Sequence, residues 1–229
     1  MSPRVSVLIP TYNTGRYIGC ALESVLGQTY QDFEVIVLDD GSTDNTREVV
    51  AGYPQVRYIY HEHSGIPITR NRAISEAKGE FVVFLDADDL WEPDKLQKQV
   101  DYMDSHPDCQ LVYTLVRNFF DGQPENMTER QEQLLNANMD NCLVTCCIRR
   151  SLYEKHGGYR EDYPYGEDTQ WVARLWALGI NMKHCIQEPL YLRRIHDANI
   201  SLTHRKVEQK NIMTLLADAI RQARREKKE

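Results

Sequence analysis

Four short apolar runs are spaced along the first half of the chain, with helix-forming stretches between them. The runs are VSVLI (5–9), EVIVL (34–38), VRYIY (56–60) and FVVFL (81–85). The stretches at about 16–27, 43–51 and 67–78 place apolar residues three and four positions apart, which predicts amphipathic helices. Because strands and helices alternate, we expect parallel strands with covering helices, and the unbroken apolar runs indicate a sheet buried on both faces.

The alternation changes after a helix predicted over about 93–105, which Pro93 is expected to open at its first turn. Residues 203–229 carry an apolar stripe at helical spacing and end in the basic segment RQARREKKE, which predicts a C-terminal amphipathic helix. The elements predicted between them are a strand at 111–120, a polar loop at 121–131, a strand at 143–150, a helix at 167–178 and a strand at 189–195. The whole pattern predicts an α/β fold.

Composition narrows the class of protein. The chain has 229 residues, of which 41% are hydrophobic and 27% charged, values that are ordinary for a soluble globular protein and argue against disorder. Its net charge of −7 argues against a general nucleic-acid surface, since such surfaces cluster Lys and Arg. No apolar run approaches the ~20 residues of a transmembrane helix, and the N-terminus lacks the pattern of a secretory signal.

The six cysteines form neither a CxxC pair nor a zinc-ligand pattern. Three of them lie in the apolar stretch NCLVTCCIRR (141–150), where a reduced thiol behaves as a small hydrophobic group. We therefore interpret them as structural thiols in a reducing compartment and expect a cytoplasmic protein.

Mostly polar residues follow three of the early strands. They are Pro10, Thr11, Tyr12 and Asn13 after the first, Asp39 and Asp40 after the second, and Asp86, Asp88 and Asp89 after the fourth. Since ligands of an open parallel sheet bind outside the carboxyl ends of its strands, these residues are expected to share one site. Ser42, Thr43 and Asp44 are expected instead to cap the helix at 43.

The aspartates after the fourth strand need an explanation other than capping, because Asp86 and Asp88 lie too far upstream of Pro93 to cap its helix. A solvated turn is one alternative. The chain lacks the phosphate loops GxxxxGK[ST] and GxGxxG, so a bound nucleotide would need another source of positive charge. Two aspartates one residue apart suit a hard divalent ion that keeps water ligands and bridges to a diphosphate.

Six segments carry a family resemblance, and in order they cover nearly all of residues 3–202. They are VSVLIPTYN (5–13), LESVLGQTYQDFEVIVLDDGSTDNT (22–46), TRNRAI (69–74), GEFVVFLDADDLWEPDKL (79–96), GEDTQW (166–171) and YLRRIHDANIS (191–201). The chain resembles the inverting family 2 glycosyltransferases of the GT-A fold. The resemblance implies a glycosyltransferase domain at 1–202, with a nucleotide-binding half at 1–105 and an acceptor-side half at 106–202, followed by the helix at 203–229.

The resemblance implies a nucleoside-diphosphate sugar donor, with a UDP-sugar favoured, and a set of residues around its nucleotide. This set is Pro10, Thr11, Tyr12, Asn13, Asp39, Asp40, Arg70 and Asp86. Within it, Tyr12 is implied to stack on the base. Asp40 is implied to accept a hydrogen bond from a uracil ring, with Asp39 in support. Arg70 is implied to lie near the base and Asp86 near the ribose.

The resemblance also implies ligands for Mn²⁺ or Mg²⁺, namely Asp88 and His196, with Asp89 supporting through water. In isolation, a histidine after a strand is more often a structural hydrogen-bonding residue. Arg193 and Arg194 are near enough in sequence to His196 to meet a phosphate.

Asp168 or Glu167 is implied as the catalytic base that takes the proton of an acceptor hydroxyl. The resemblance favours Asp168 of the two. Its spacing also predicts that Asp168 shares an inward helix face with Trp171, Val172 and Leu175. An ordinary acidic first turn is the alternative explanation for both carboxylates.

Two departures from the family pattern limit what can be carried over. His63-Ser64-Gly65 stands where the family often has an asparagine before the glycine. The QxxRW motif of processive synthases is absent because Gln170 is followed by WVARLW, which disfavours a membrane-embedded polymer synthase.

The resemblance also implies a saccharide or lipid-linked saccharide as the acceptor, in surface polysaccharide or glycolipid assembly. Two other functions stay open: a catalytically weak nucleotide-sugar-binding protein, and a metal-dependent phosphatase. The phosphatase is disfavoured because Leu90 occupies the last position of the DxDx[TV] pattern. For the C-terminal helix, packing on its own domain, a peripheral contact with the inner face of a membrane and a homodimer contact are the alternatives.

Overall fold

The computed structural model of the chain describes residues 2–122, 128–136, 143–163, 166–196, 199 and 205–226. Its strands are β1 (Val5–Thr11), β2 (Phe33–Asp40), β3 (Val56–His61), β4 (Phe81–Phe84), β5 (Leu90–Trp91), β6 (Leu111–Phe120), β7 (Cys147–Arg149) and β8 (Cys185–Ile195). Its helices are α1 (Ile18–Leu26), α2 (Thr46–Ala51), α3 (Ile66–Glu76), α4 (Lys95–Ser105), α5 (Glu129–Leu135), α6 (Arg150–His156), α7 (Glu167–Leu178) and α8 (Arg205–Glu226).

In the described part of the chain, the strands form a sheet in the order β3-β2-β1-β4-β7-β6-β8-β5. The first four strands of the sequence are all parallel, because β1 pairs with β2 and β4, and β2 pairs with β3. β7 is antiparallel to β4 and β6, β6 is parallel to β8, and β5 is antiparallel to β8. A mostly parallel sheet flanked by helices confirms the predicted fold class.

The apolar runs of the early strands lie in the core, as predicted. β4 is buried along its whole length, and Val7 and Ile36 in the neighbouring strands are fully buried. Burying one such side chain stabilises the fold by about 1.5–3 kcal/mol relative to leaving it in water. The tightly packed strands give the loops at their carboxyl ends a rigid base.

The thiols of Cys146 and Cys147 are reduced and lie in the core, where burial raises the pKa of each to about 12. Both therefore behave as the small hydrophobic groups that the sequence indicated. Cys142 lies outside the described residues.

Several element boundaries differ from the predictions. α4 begins at Lys95 instead of Pro93, and β8 begins at Cys185 instead of 189. Only 147–149 of the predicted strand at 143–150 is extended, and α6 follows it directly. α5 begins inside the predicted polar loop. Short segments such as these show too few periods for a hydrophobic pattern to define them, so packing against the rest of the fold decides.

Of the three residues in the segment predicted to cap a helix at 43, Asp44 does bond the start of the helix, whereas the prediction was wrong for Ser42 and Thr43. α2 begins at Thr46, and only Asp44 bonds its first turn, accepting from Thr46 N over 3.0 Å. Ser42 Oγ accepts from Asn13 N over 2.8 Å, and Thr43 N donates to Asn13 Oδ1 over 2.8 Å. The segment therefore joins the loops that follow β1 and β2.

The predicted C-terminal helix is present as α8, which packs on α7. Ala219 and Ala223 are buried in this contact, and Gln170 Nε2 donates to Gln222 Oε1 over 3.2 Å. Of the helices in the described residues, none is both long and apolar enough to cross a membrane. The membrane and homodimer contacts of this helix remain predictions.

Candidate active site

The turn after β4 carries the three aspartates at the carboxyl end of the parallel strands. Asp89 N donates to the Asp86 carbonyl over 3.0 Å, which closes the turn. Asp88 Oδ2 lies 2.8 Å from Nε2 of His196, the residue after β8, and 3.4 Å from Asn199 Nδ2. The Asp88 and His196 side chains are 24% and 11% exposed. The fold therefore brings together the two predicted metal ligands.

Asp89 does not take the water-mediated role predicted for it. The residue is 4% exposed, and its carboxylate accepts from the Tyr191 hydroxyl and from Arg194 N, both over 2.8 Å. Burial, together with the charges of Asp88 and Asp86, raises the pKa of Asp89 well above its usual value. The sequence interpretation was wrong here, because Asp89 anchors the turn to β8 from inside the core.

Arg194 bonds to protein groups, and its predicted contact with a phosphate remains a prediction. Its Nε donates to the Asp88 carbonyl over 2.9 Å, and its Nη1 donates to Asp121 Oδ1 over 2.8 Å. The guanidinium lies over the rings of Tyr17 and Phe119, at 5.2 and 4.8 Å from their centroids. Arg194 therefore holds the main chain that carries Asp88.

Arg70 lies between two carboxylates that come from different parts of the fold. Its Nη1 donates to Glu167 Oε1 over 2.7 Å, and its Nη2 lies 3.4 Å from Asp86 Oδ1. Only 10% of the side chain is exposed. Burial by itself would lower the pKa of Arg70, but Glu167, Asp86 and Asp168 act in the opposite direction and raise it. The structure thus places Arg70 between the turn after β4 and the start of α7, and its contact with a nucleotide base remains a prediction.

The first turn of α7 presents its two carboxylates differently. Glu167 is 4% exposed, and burial raises its pKa to about 7, with the charge of Asp168 adding and Arg70 opposing. Asp168 is half-buried and its Oδ1 accepts from Thr169 N over 2.6 Å. Glu167, rather than Asp168, therefore shares the fully buried face of α7 with Trp171. Asp168 is less buried than the apolar residues of this face, but its charge acts on Arg70 and Asp86, and its role as a base remains a prediction.

The loops after β1 and β2 form the other end of the site. Pro10 and Thr11 close β1, and Thr11 lies beside Asp39 in the parallel register. Asn13 has a left-handed backbone with φ of 51°, and its Oδ1 accepts from Thr43 N. Asp39 is fully buried and accepts from Ser42 N over 2.7 Å, so it holds the loop after β2 in place.

Asp40 is surrounded by donors from the loop after β3. Its Oδ1 accepts from Ser64 N over 2.7 Å and from Ser64 Oγ over 3.1 Å, and its Oδ2 accepts from Gly65 N over 3.0 Å. His63 Nδ1 lies 2.9 Å from the same Oδ2. Tyr12 is 47% exposed and stacks on the His63 ring, with centroids 4.4 Å apart. The predicted contact of Asp40 with a base remains a prediction.

The donor set of Asp88 and His196 fits a divalent ion. One carboxylate oxygen and one imidazole nitrogen meet at 2.8 Å, where a bound cation would replace their mutual contact. In the described ranges, no group of three His, Cys, Asp or Glu side chains could hold a metal ion. Two protein ligands are sufficient for an ion such as Mg²⁺, which is usually completed by water and substrate phosphates.

The structure also gives roles to residues that the sequence patterns did not single out. Tyr191 holds Asp89 from β8, Asn199 reaches Asp88, and the Tyr17 ring lies 4.7 Å from the His196 ring. The only sequence signal for Tyr191 and Asn199 was their place beside His196 in the segment YLRRIHDANIS. Tyr17 carried no signal, since one tyrosine at the start of a helix is ordinary.

Comparison with known proteins defines the class of this chain. Residues 6–157 match the family model described as "Glycosyl transferase family 2". The match covers more than half of the chain, and the sheet and strand-end residues described above agree with it. The chain therefore belongs to the family 2 glycosyltransferases.

Individual relatives include a glycosyltransferase of Bacillus subtilis (strain 168) named for teichuronic acid biosynthesis, TuaG, which is 42% identical over 106 residues. That match covers 44% of this chain and 42% of TuaG. A crystal structure of S. aureus TarS, residues 1–349, in complex with UDP superposes with a TM-score of 0.74 at 25% identity, covering 94% of this chain and 65% of TarS 1–349.

A third relative is the mannosyltransferase PcManGT from Pyrobaculum calidifontis, in complex with GDP-Man and Mn²⁺. It has a TM-score of 0.66 at 22% identity, covering 99% of this chain and 74% of that one, and supports the fold. The chain matches less than half the length of TuaG and about two thirds of TarS 1–349.

Proposed function

We propose that the chain transfers a sugar from a nucleoside-diphosphate sugar, with a UDP-sugar favoured, to a hydroxyl acceptor with inversion at the anomeric carbon. One observation carries this proposal. The Asp88–His196 pair, the Arg70-bound carboxylates and the loop of Tyr12 all lie on the side of the sheet where its parallel strands have their carboxyl ends. That side is where open α/β sheets bind their ligands.

The nucleotide would lie along the loops after β1, β2 and β4. The half-exposed ring of Tyr12 offers a face for stacking on the base. Pro10, Thr11 and Asn13 would line the base and ribose, while Asp39 and Asp40 hold this end in shape through their bonds to neighbouring amides. TarS, which has a similar fold, is shown in complex with UDP, and this supports a uridine nucleotide.

The diphosphate would lie near Asp88 and His196, with Mn²⁺ or Mg²⁺ between them. Such an ion supplies positive charge to the departing diphosphate. Asp88 and His196 would bind it, Arg194 would hold the Asp88 main chain, and Asp89 would lock the turn to β8. Asp86 would face the ribose while Arg70 fixes its carboxylate. The structure of PcManGT with GDP-Man and Mn²⁺ has a similar fold and is consistent with this arrangement.

Asp168 is the proposed catalytic base. The acceptor oxygen forms its bond to the anomeric carbon, the bond from that carbon to the diphosphate oxygen breaks, and the hydroxyl proton passes to Asp168. The half-buried position of Asp168 leaves it open to an acceptor, whereas Glu167 is buried against Arg70. The pKa of about 7 for Glu167 nevertheless suits a general base, and Glu167 is the alternative.

The acceptor is proposed to be a saccharide or lipid-linked saccharide in the assembly of a surface polysaccharide. TuaG, named for teichuronic acid biosynthesis, supports this class of product. Membrane contact and dimerisation through α8 stay secondary proposals, supported by the exposed Leu216 and Ile220 and the basic last turn.

A melting panel with UDP-, GDP- and dTDP-sugars tests the donor, each with Mn²⁺, with Mg²⁺ and with EDTA. We expect UDP-sugars to raise the melting temperature only when a divalent ion is present. A ligand at about 100 times its dissociation constant stabilises the fold by about 2.7 kcal/mol, which such a panel resolves easily. Transfer is then followed as UDP release with candidate saccharides, and proton NMR of the product reports the anomeric configuration.

The same assays separate the alternatives. A phosphatase would release inorganic phosphate from UDP or from p-nitrophenyl phosphate, and a binding protein would bind the donor without releasing UDP to any acceptor or to water. If no nucleotide sugar shifts the melting temperature with either metal, the proposed function is wrong.

A further inference from the structure

The exposed ring of His63 covers one side of Tyr12 at the nucleotide end of the site. Their centroids are 4.4 Å apart and their planes differ by 29°, which is a stacked arrangement. The His63 side chain is 58% exposed, and Tyr12 is 47% exposed. Exposed aromatic side chains keep their rotamer freedom unless a neighbouring group holds them. Whether the Tyr12 and His63 rings are ordered therefore depends on the residue that holds His63.

That residue is Asp40. Its carboxylate lies 2.9 Å from His63 Nδ1, and the side chain of Asp40 is only 6% exposed. Three hydrogen bonds, from Ser64 N, Ser64 Oγ and Gly65 N, fix the carboxylate itself. His63 Nδ1 also lies 3.0 Å from the Asp40 carbonyl oxygen, so both the main chain and the fixed carboxylate of Asp40 hold the imidazole.

The backbone below the pair is shaped for this contact. Gly41 has φ of +83°, and a Cβ there would lie 2.8 Å from His63 N. A side chain at position 41 would therefore push the loop that carries His63 away from Asp40. A glycine after Asp40 lets the two loops approach closely enough for the Asp40–His63 contact.

We propose that His63 is a positioning residue for the donor nucleotide: held by Asp40, it fixes the Tyr12 ring as the surface on which the base stacks. This inference rests on the proposed function, and it assigns Asp40 an indirect part in binding the base. A fixed ring binds a planar base better than a mobile one, because less rotamer entropy is lost on binding. His63 has no part in the chemistry, so it should change donor affinity and KM and leave kcat unchanged.

Three substitutions at position 63 separate stacking from hydrogen bonding. His63→Ala removes both contacts, His63→Asn keeps a donor for Asp40 without a ring, and His63→Phe keeps a ring without the donor. We expect His63→Ala and His63→Asn to weaken UDP binding about three- to tenfold, the range of one aromatic pair. His63→Phe should restore most of the affinity.

The chain offers a matched control. His106 stacks on Tyr102 with centroids 4.2 Å apart, and it is exposed like His63. The Tyr102 hydroxyl contacts His184, which precedes β8, whereas His196 of the site follows that strand. The pair therefore lies at the opposite end of β8, and His106→Ala should leave UDP binding unchanged.

Calorimetry with Mn²⁺ measures the affinities for UDP and, as a probe without a base, for inorganic pyrophosphate. We expect the His63 variants to bind pyrophosphate like the native chain, and His63→Ala to add nothing in a Tyr12→Ala background. Equal UDP affinity for His63→Ala and the native chain would overturn the inference. So would an equal loss for pyrophosphate, or full additivity with Tyr12→Ala. If the native chain itself binds no nucleotide, the proposed function fails, and that result is distinct from a native chain that binds UDP and tolerates His63→Ala.

Discussion

Arg70 Nη1 donates to Glu167 Oε1 over 2.7 Å, although the two residues are 97 positions apart in the chain. The same guanidinium reaches Asp86 in the turn after β4. One buried cation therefore joins the residue expected near the ribose to the helix that carries the proposed base. Removing it would leave two carboxylates without their counter-charge.

Arg70→Met should destabilise the chain by about 3 kcal/mol, the cost of leaving a buried charge unpaired. Urea denaturation of the metal-free chain at pH 8 measures this change. Arg70→Lys is the matched variant, because it keeps the positive charge but cannot bond both carboxylates as the planar guanidinium does. It should lose less stability than Arg70→Met. If Arg70→Met unfolds at the native urea concentration, the ion pair contributes nothing to stability.

The raised pKa of Glu167 predicts a pH-dependent stability. In the folded chain this pKa is about 7, above its ordinary value of 4.5, so the folded state holds the proton more tightly. The contribution of protonated Glu167 to the free energy of unfolding is fully present below pH 4.5 and is lost as the pH rises through 7. Relative to Glu167→Gln, the native free energy of unfolding should fall over this window, by about 3 kcal/mol at most. A difference between the two proteins that is constant with pH would contradict the raised pKa.

Asp168→Asn should keep donor binding and lower turnover by about 10²–10⁴-fold, the usual contribution of a general base. Calorimetry with UDP measures the first property and the rate of UDP release with acceptor measures the second. Glu167→Gln is the comparison. If Asp168→Asn keeps its turnover and Glu167→Gln does not, Glu167 is the base.

Asp88→Asn should abolish metal-dependent transfer, with turnover falling at least about 100-fold, because the amide removes the charge that binds the cation. His196→Ala should instead raise the Mn²⁺ concentration that is needed. Asp108→Ala removes an exposed aspartate outside the site and serves as the control. Native turnover in Asp88→Asn at every Mn²⁺ concentration would exclude Asp88 as a ligand.

Lys95 is the first residue of α4 and is fully buried, and its Nζ donates to Gln99 Oε1 over 2.7 Å and lies 4.2 Å from the Trp91 ring centroid. Burial lowers its pKa from 10.5 to about 7. Between these values the unfolded chain binds the extra proton, so stability from this residue rises with pH. Lys95→Met should therefore stabilise the chain by about 2 kcal/mol at pH 7, with the gain shrinking towards pH 10.

The neighbouring Lys98→Met is the control for that experiment. Lys98 lies on the same helix as Lys95 and forms exposed ion pairs with Asp94 and Glu188, so its loss should change stability much less than the loss of Lys95. A destabilised Lys95→Met at pH 7 would mean that its bond to Gln99 outweighs the burial of the amine.

The sequence by itself determined the parallel strands and the side of the sheet, at their carboxyl ends, where the site lies. Hydrophobic periodicity is a local property, and the positions of Asp40 and Asp86 after apolar strands follow from it once the strands are parallel. The resemblance to family 2 glycosyltransferases also rested on contiguous motifs. Short elements such as α6 and the pairing of β5 with β8 were missed, because a few residues carry no period.

Only the tertiary structure decided which polar groups meet. Asp88 contacts His196 across 108 positions and Asp89 contacts Tyr191 across 102. The spacing of residues along a chain contains no information on such partners. The partner also determines what an ionisable group does, since burial and the nearest opposite charge set its pKa. For this reason the sequence placed Asp86, Asp88 and Asp89 in one turn, and packing against β8 made Asp88 a candidate ligand and Asp89 a buried anchor.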